Sequence, residues 1–144
     1  MEFKWTKGLE FFQDAHEIRE KVFVKEQGFE HEFDQTDHEA LHVVLYLDGV
    51  PVATARLFSE QGRVFHVGRV AVLKDYRGSH LGAALMKEVV RKAEQLGAEK
   101  IVLGAQKQAE PFYRKLGFLS ENDCYFDEGC PHVNMFLKLN CQKG

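Results

Sequence analysis

The chain has little cysteine and no long apolar run. Cys124, Cys130 and Cys141 are odd in number and show neither a CxxC pair nor a paired histidine motif. That excludes a disulfide framework and a structural zinc site, leaving free thiols. The opening stretch "MEFKWTKGLEFFQ" holds no apolar segment of signal-peptide length, and nothing later approaches a bilayer span, so a soluble cytoplasmic protein is expected. An excess of charge is also missing. A net charge of −3 and an isoelectric point near 6.2 give no general attraction to nucleic acid or to an anionic membrane. No partner of either kind is expected, and any anion site must be local. Neither GxGxxG nor GxxxxGK followed by Ser or Thr occurs, which sets aside the dinucleotide-binding unit and the Walker A loop. Repeats, linkers and low-complexity tracts are absent too. The 144 residues make one domain over 1–144, long enough to bury a core.

What is present reads as interleaved strands and helices. "EFKWT" alternates like a strand, and Leu9, Phe12, Ala15, Ile18 and Val22 then recur at helical spacing, predicting a helix from about Leu9 to Val24. The acidic stretch from Glu26 to Glu39 lacks periodicity and reads as a loop with a short helical turn. "LHVVLYL" and "VPVATARLF" are β-rich runs joined at Asp48-Gly49, and Gln61-Gly62 leads into "RVFHVGRVAVL", so three antiparallel strands follow in succession. Leu81, Leu85, Val89, Ala93 and Leu96 mark one face of a helix that stops at Gly97. "KIVLGA" is a buried strand, a helix covers roughly Gln108 to Leu116, and "FLSENDCYF" and "HVNMFLKL" are terminal strands. Three consecutive strands before the glycine turn predict a mixed α/β sheet, mostly antiparallel and flanked by helices, rather than a doubly wound one.

One stretch carries the chemistry. "GRVAVLKDYRGSHLGAALMKE", Gly68 to Glu88, passes from an extended apolar run through a glycine-punctuated basic turn into a helix. Small residues there let backbone N–H groups face an anion, so the turn reads as a phosphate site. Together, "VAVLKDYRGSHLGAALM" and "AEPFYRKLGF" resemble the coenzyme-binding half of the GNAT N-acetyltransferase superfamily. "REKVFVKEQG", "GRVAV", "LGAQ" and "GCPHVNM" extend the likeness over nearly the whole chain and to the ElaA-like branch. The family's turn is Q/R-x-x-G-x-G/A. Arg77 and Gly82 match it, while His80 stands where its first glycine falls.

The resemblance implies a splayed cofactor cleft and acetyl-CoA as acyl donor; no metal is expected, because no ligand set of recognised spacing occurs. It implies that amides from Arg77 through Gly78, Ser79, His80, Leu81, Gly82 and Ala83 hold the pyrophosphate, aided by charge on Arg77 and His80. Arg69, Val70, Ala71 and Val72 would leave their neighbouring strand at a bulge and pair with the pantetheine arm, which Gln106 would also touch. Tyr113 matches the tyrosine that donates to the leaving thiolate, and an amide near Val70 or Ala71 would serve the oxyanion.

The base stays open. His66 stands where many members carry a glutamate, and Glu26, His42, Arg56 and His132 are alternatives that would line the acceptor side. Arg56 on a core strand reads either as a cleft-facing partner for a carboxylate or as an outward residue. The acidic loop either attracts a cationic amine or is solvated. His31, His38 and His42 beside it lack the spacing of a metal motif. The first helix, with Arg19 and Phe23, also resembles acyl-homoserine-lactone synthases, for which the chain is short. Three readings follow: an N-acetyltransferase of a small-molecule or peptide amine, the same fold with another acyl-CoA or acceptor, or a non-catalytic CoA-binding regulatory module. Pairing into a homodimer is left open.

Overall fold

A computed structural model describes residues 1–127 and 129–139. A seven-stranded sheet of order β1-β2-β3-β4-β5-β7-β6 divides the molecule. Its strands are β1 (Glu2–Lys7), β2 (Leu41–Leu47), β3 (Val50–Gln61), β4 (Val64–Val72), β5 (Lys100–Gln106), β6 (Leu119–Asp127) and β7 (Cys130–Lys138). Every neighbouring pair is antiparallel except β4 and β5, which run parallel, joined through helix α2 (Leu81–Gln95). The mixed, mostly antiparallel sheet expected from the strand order is what forms.

Strand parity sends alternate side chains to opposite layers. Val43 and Leu45, with Leu57, Ile101, Leu103 and Met135, pack beneath α2 and the short helix α3 (Glu110–Lys115). Val44 faces the other way, onto Phe12, Ile18, Val22 and Phe23. Leu81, Leu85, Val89 and Ala93 of α2 are all buried, whereas Leu96 is 46% exposed because it caps the helix beyond the sheet.

The first helix departs from its periodicity at both ends. Helix α1 spans only Gln13–Arg19, because Gly8 (φ +71°) and Phe11 (φ +58°) turn the chain out of β1. Leu9 and Phe11 therefore stay exposed. A Cβ on Gly8 would lie 2.8 Å from the His38 carbonyl, so this tight turn requires glycine. Beyond Arg19 the helix widens into a π-helical segment, Glu20–Glu26, which ends with Gln27 donating to the Val22 carbonyl and Phe29 to that of Phe23. That widening, a feature frequent at functional sites, turns Phe23, Gln27 and Phe29 toward the sheet's central opening. The acidic loop contains a 3-10 turn at Gln35–His38. Among the described residues no helix is long and apolar enough to cross a membrane. Cys124 and Cys130 are free thiols, and Cys141 lies outside the described residues.

Candidate active site

The opening is made where β4 and β5 part. Their parallel pairing runs from Val64 and Lys100 only to Val67 and Leu103. On the other edge Gly68 lies opposite Arg56 and Ala71 opposite Thr54, so Arg69 and Val70 together face Ala55 in a bulge. Arg69 takes φ +52° there. The kink carries Gly68–Val72 away from β5, and their backbone edge faces a cleft of about 1410 Å³ instead of a strand.

The cleft runs on to the start of α2. Gly78 (φ +85°) and His80 (φ +65°, the N-cap) coil the turn, and the helix begins without a side-chain cap. Among the described residues the backbone N–H groups of Gly78 through Ala83 donate no hydrogen bond. Unspent amides at a helix start, with the helix dipole behind them, form an anion site. Gly82 has a further reason to be small, since a Cβ there would meet the Phe112 ring at 3.3 Å.

Tyr113 enters from α3, 7% exposed, its ring against Phe112 and Phe118 at 4.9 and 5.9 Å. Burial pushes its phenol well above the ordinary range, so the hydroxyl keeps its proton at neutral pH. It lines the cleft, and its hydroxyl meets no hydrogen-bond partner among the described residues.

Beneath the opposite end lies an ionic network. Arg19, 1% exposed, holds Glu32 Oε2 at 2.8 Å and Asp37 Oδ1 at 2.8 Å. Arg56 donates through Nη1 to Asp34 at 2.7 Å and Asp37 at 3.0 Å, leaving its buried Nε without a partner. Arg69 reaches the Glu32 carbonyl at 2.9 Å and Asp34 at 3.3 Å. Burial works to raise the Asp37 carboxyl, but hydrogen bonds from Arg19 and Arg56 and from the Asp34 amide hold it down to about 2. For Glu32 burial prevails and pushes it up despite Arg69 and Arg19. Burial, reinforced by nearby Arg56, lowers Arg69.

A splayed parallel pair, free amides at the following helix and a tyrosine facing both are the arrangement that the sequence resemblance implied. The family model for the acetyltransferase (GNAT) domain matches residues 11–139. The chain belongs to the GNAT acetyltransferase family. It is 39% identical over 134 residues to the uncharacterized N-acetyltransferase YjcF of Bacillus subtilis, covering 90% of this chain and 94% of that protein. Escherichia coli ElaA is 29% identical over 125 residues, and its crystal structure superposes with a TM-score of 0.85 over 95% of this chain and 99% of that one. An acyl-CoA N-acyltransferase from Pseudomonas aeruginosa, 25% identical, superposes with a TM-score of 0.84, covering 94% and 98%.

In this GNAT chain the cleft gathers Arg69, Val70, Ala71, Val72, Arg77, Gly78, His80, Leu81, Gly82, Ala83, Gln106 and Tyr113 from the expected cofactor set, and Arg56, His66 and His132 from the acceptor set. Ser79 points elsewhere, its hydroxyl donating to the Tyr76 carbonyl at 2.9 Å. Two expected acceptor residues are not brought to the cleft. Glu26 is held at the mouth by Arg77, whose two terminal guanidinium nitrogens donate to its carboxylate. His42, 1% exposed, lies under the network and donates to the Asp37 carbonyl at 3.1 Å, with burial pushing its imidazole down. Among the described residues no group of three or more His, Cys, Asp or Glu is set to hold a metal ion.

Sequence reasoning missed the network. Its signal was three arginines, Arg19, Arg56 and Arg69, on elements that otherwise read as core, each of which needs a buried carboxylate. The acidic loop supplies them. Tyr125 was missed as well: its hydroxyl sits over Gly104, where a Cβ would collide with it.

Proposed function

We propose that this chain transfers the acetyl group of acetyl-CoA to the amine of a small molecule or peptide by direct attack on the thioester. The single observation that carries this is the pairing of the unspent Gly78–Ala83 amides with the open β4 edge, one cradle for a pyrophosphate and one for an amide-bearing arm. The residues present therefore fit the coenzyme. The amides hold its phosphates, and β4 from Arg69 to Val72 pairs with the pantetheine as an added strand, with Gln106 alongside. An N–H at Val70 or Ala71 takes the charge of the tetrahedral oxygen. Tyr113 gives its proton to the departing sulfur. A hydroxyl held as a donor and left without a protein partner favours turnover over a binding-only module.

Thiol release from acetyl-CoA across a panel of primary amines tests the activity. Ala83→Glu tests the site, since it puts a carboxylate on the cradle, and CoA affinity read by calorimetry should fall at least about tenfold. Unchanged affinity in a folded A83E protein, or no thiol release with any amine, would sink the reading.

A further inference from the structure

We infer that His132 is the general base of the acetyl transfer, an assignment that rests on the reading above. Residues directly opposite in an antiparallel pair share a sheet face, and β5 and β7 place Gln106 opposite His132, Gly104 opposite Asn134, and Ala105 opposite Val133. Leu103, Ala105, Val133 and Met135 point into the core that holds Tyr113. His132, Asn134, Gly104 and Gln106 therefore face the other side, so a thioester lying in the splay between β4 and β5 has Tyr113 on one face and His132 on the other. Donor and base on different sides of the reacting carbon let proton removal from the incoming amine and proton delivery to the departing sulfur proceed without competing for one position.

The ring itself is oriented and its tautomer is set. Nδ1 lies 2.8 Å from the Cys130 carbonyl, which can only accept, so the neutral imidazole carries its proton on Nδ1 and its lone pair on Nε2. Tyr125 stacks on the ring with centroids 5.6 Å apart and planes at 28°. Its hydroxyl end rests over Gly104, so the stack is braced on β5. His132 is 6% exposed and lines the cleft, and Nε2 has no partner among the described residues. A basic nitrogen with a fixed direction and an open lone pair is what proton removal needs. The titratable and charged groups that line the same cleft are Glu121, Tyr125 and Asp127 from β6, Arg56 from β3, His66 and Arg69 from β4, His31 and Glu32 from the loop, Tyr76, Arg77 and His80 from the turn before α2, and Tyr113 and Lys115 from α3. Gln106, opposite it on β5, is uncharged.

The protons balance. An acceptor ammonium loses one proton to Nε2 and thence to solvent, and its nitrogen forms the C–N bond to the acetyl carbon. The C–S bond breaks with its electron pair on sulfur, and the nitrogen's second proton replaces the one Tyr113 gives to the thiolate.

Two measurements test this. Long-range ¹⁵N–¹H correlation of the histidine rings should show the Nδ1–H tautomer for His132 in the neutral form, and an Nε2–H tautomer overturns the assignment. With an amine from the panel, His132→Gln and His66→Gln should be compared across pH by kcat and by KM for acetyl-CoA. The expected result is a fall in kcat of about 10²-fold or more for H132Q. KM for acetyl-CoA should be little changed, the rising limb of the pH profile should be lost, and H66Q should retain that limb. A productive panel in which H132Q keeps the wild-type rate and limb, or in which only H66Q loses them, overturns the assignment and leaves the transferase intact. A panel with no thiol release fails the transferase and this assignment with it.

Discussion

Arg77 places both terminal guanidinium nitrogens on the Glu26 carboxylate, at 2.7 and 2.8 Å, while its Nε donates to the Val72 carbonyl at 2.8 Å. The pair spans the mouth of the cleft from the π-helical segment to the turn before α2. A phosphate bound at Gly78–Ala83 then competes with Glu26 for Arg77. Glu26→Gln should tighten CoA, by roughly threefold given how weak exposed ion pairs are. Calorimetry at two salt concentrations checks this, and weaker CoA binding by E26Q would mean that Glu26 orders the mouth rather than blocking it.

Tyr113→Phe keeps the ring between Phe112 and Phe118 and deletes one O–H. Thermal stability and CoA affinity should hold, while turnover falls by about 10²- to 10⁴-fold where chemistry limits the rate. An unchanged rate under those conditions removes Tyr113 from the mechanism.

Helix periodicity and turn chemistry made most of this architecture legible. Leu81, Leu85, Val89 and Ala93 announce α2, Asp48-Gly49 a hairpin, and Arg77 to Gly82 the turn that leads into α2. Two places resisted. The apolar spacing from Leu9 to Val22 cannot distinguish an α-helix from one that widens after Arg19, because the choice is made by the fit of Phe23 and Phe29 against the sheet. The acidic loop reads as solvated because its partners, Arg19, Arg56 and Arg69, lie 13, 19 and 35 or more residues away in sequence, and only the fold brings them together.

The network should make stability depend on acid. Asp37 titrates at about 2 in the fold against an ordinary 3.8, so its contribution is present above about 4 and is lost as pH falls toward about 2. Glu32 works the other way: its raised carboxyl takes stability away as pH rises through its folded value. Asp37→Asn at neutral pH leaves Arg19 and Arg56 short of a counter-charge and should cost about 3–5 kcal/mol. Melting between pH 7 and pH 2 should show a weaker acid limb in D37N than in the wild type, and equal limbs would assign the transition to other carboxylates.

His80 holds φ +65° without being glycine. His80→Gly should stabilise the fold by about 0.5–1 kcal/mol, the left-handed penalty of a side chain less the entropy glycine loses on folding. Gly78→Ala, at φ +85°, should destabilise it. Denaturant midpoints check both, and a lower midpoint for H80G would show that the imidazole contributes more than its backbone costs.

The bulge at Arg69 makes conflicting demands on a single position. Its backbone, at φ +52°, is in the region that glycine occupies most readily, and that kink parts β4 from β5. Its side chain ties the acidic loop down through the Glu32 carbonyl and Asp34. Glycine at 69 would relax the hinge and release the loop; any other residue would keep the torsional strain, and most would lose the tether as well. A substitution at 69 therefore changes the opening between β4 and β5 and the anchoring of the acidic loop together, so the two cannot be altered separately through this residue.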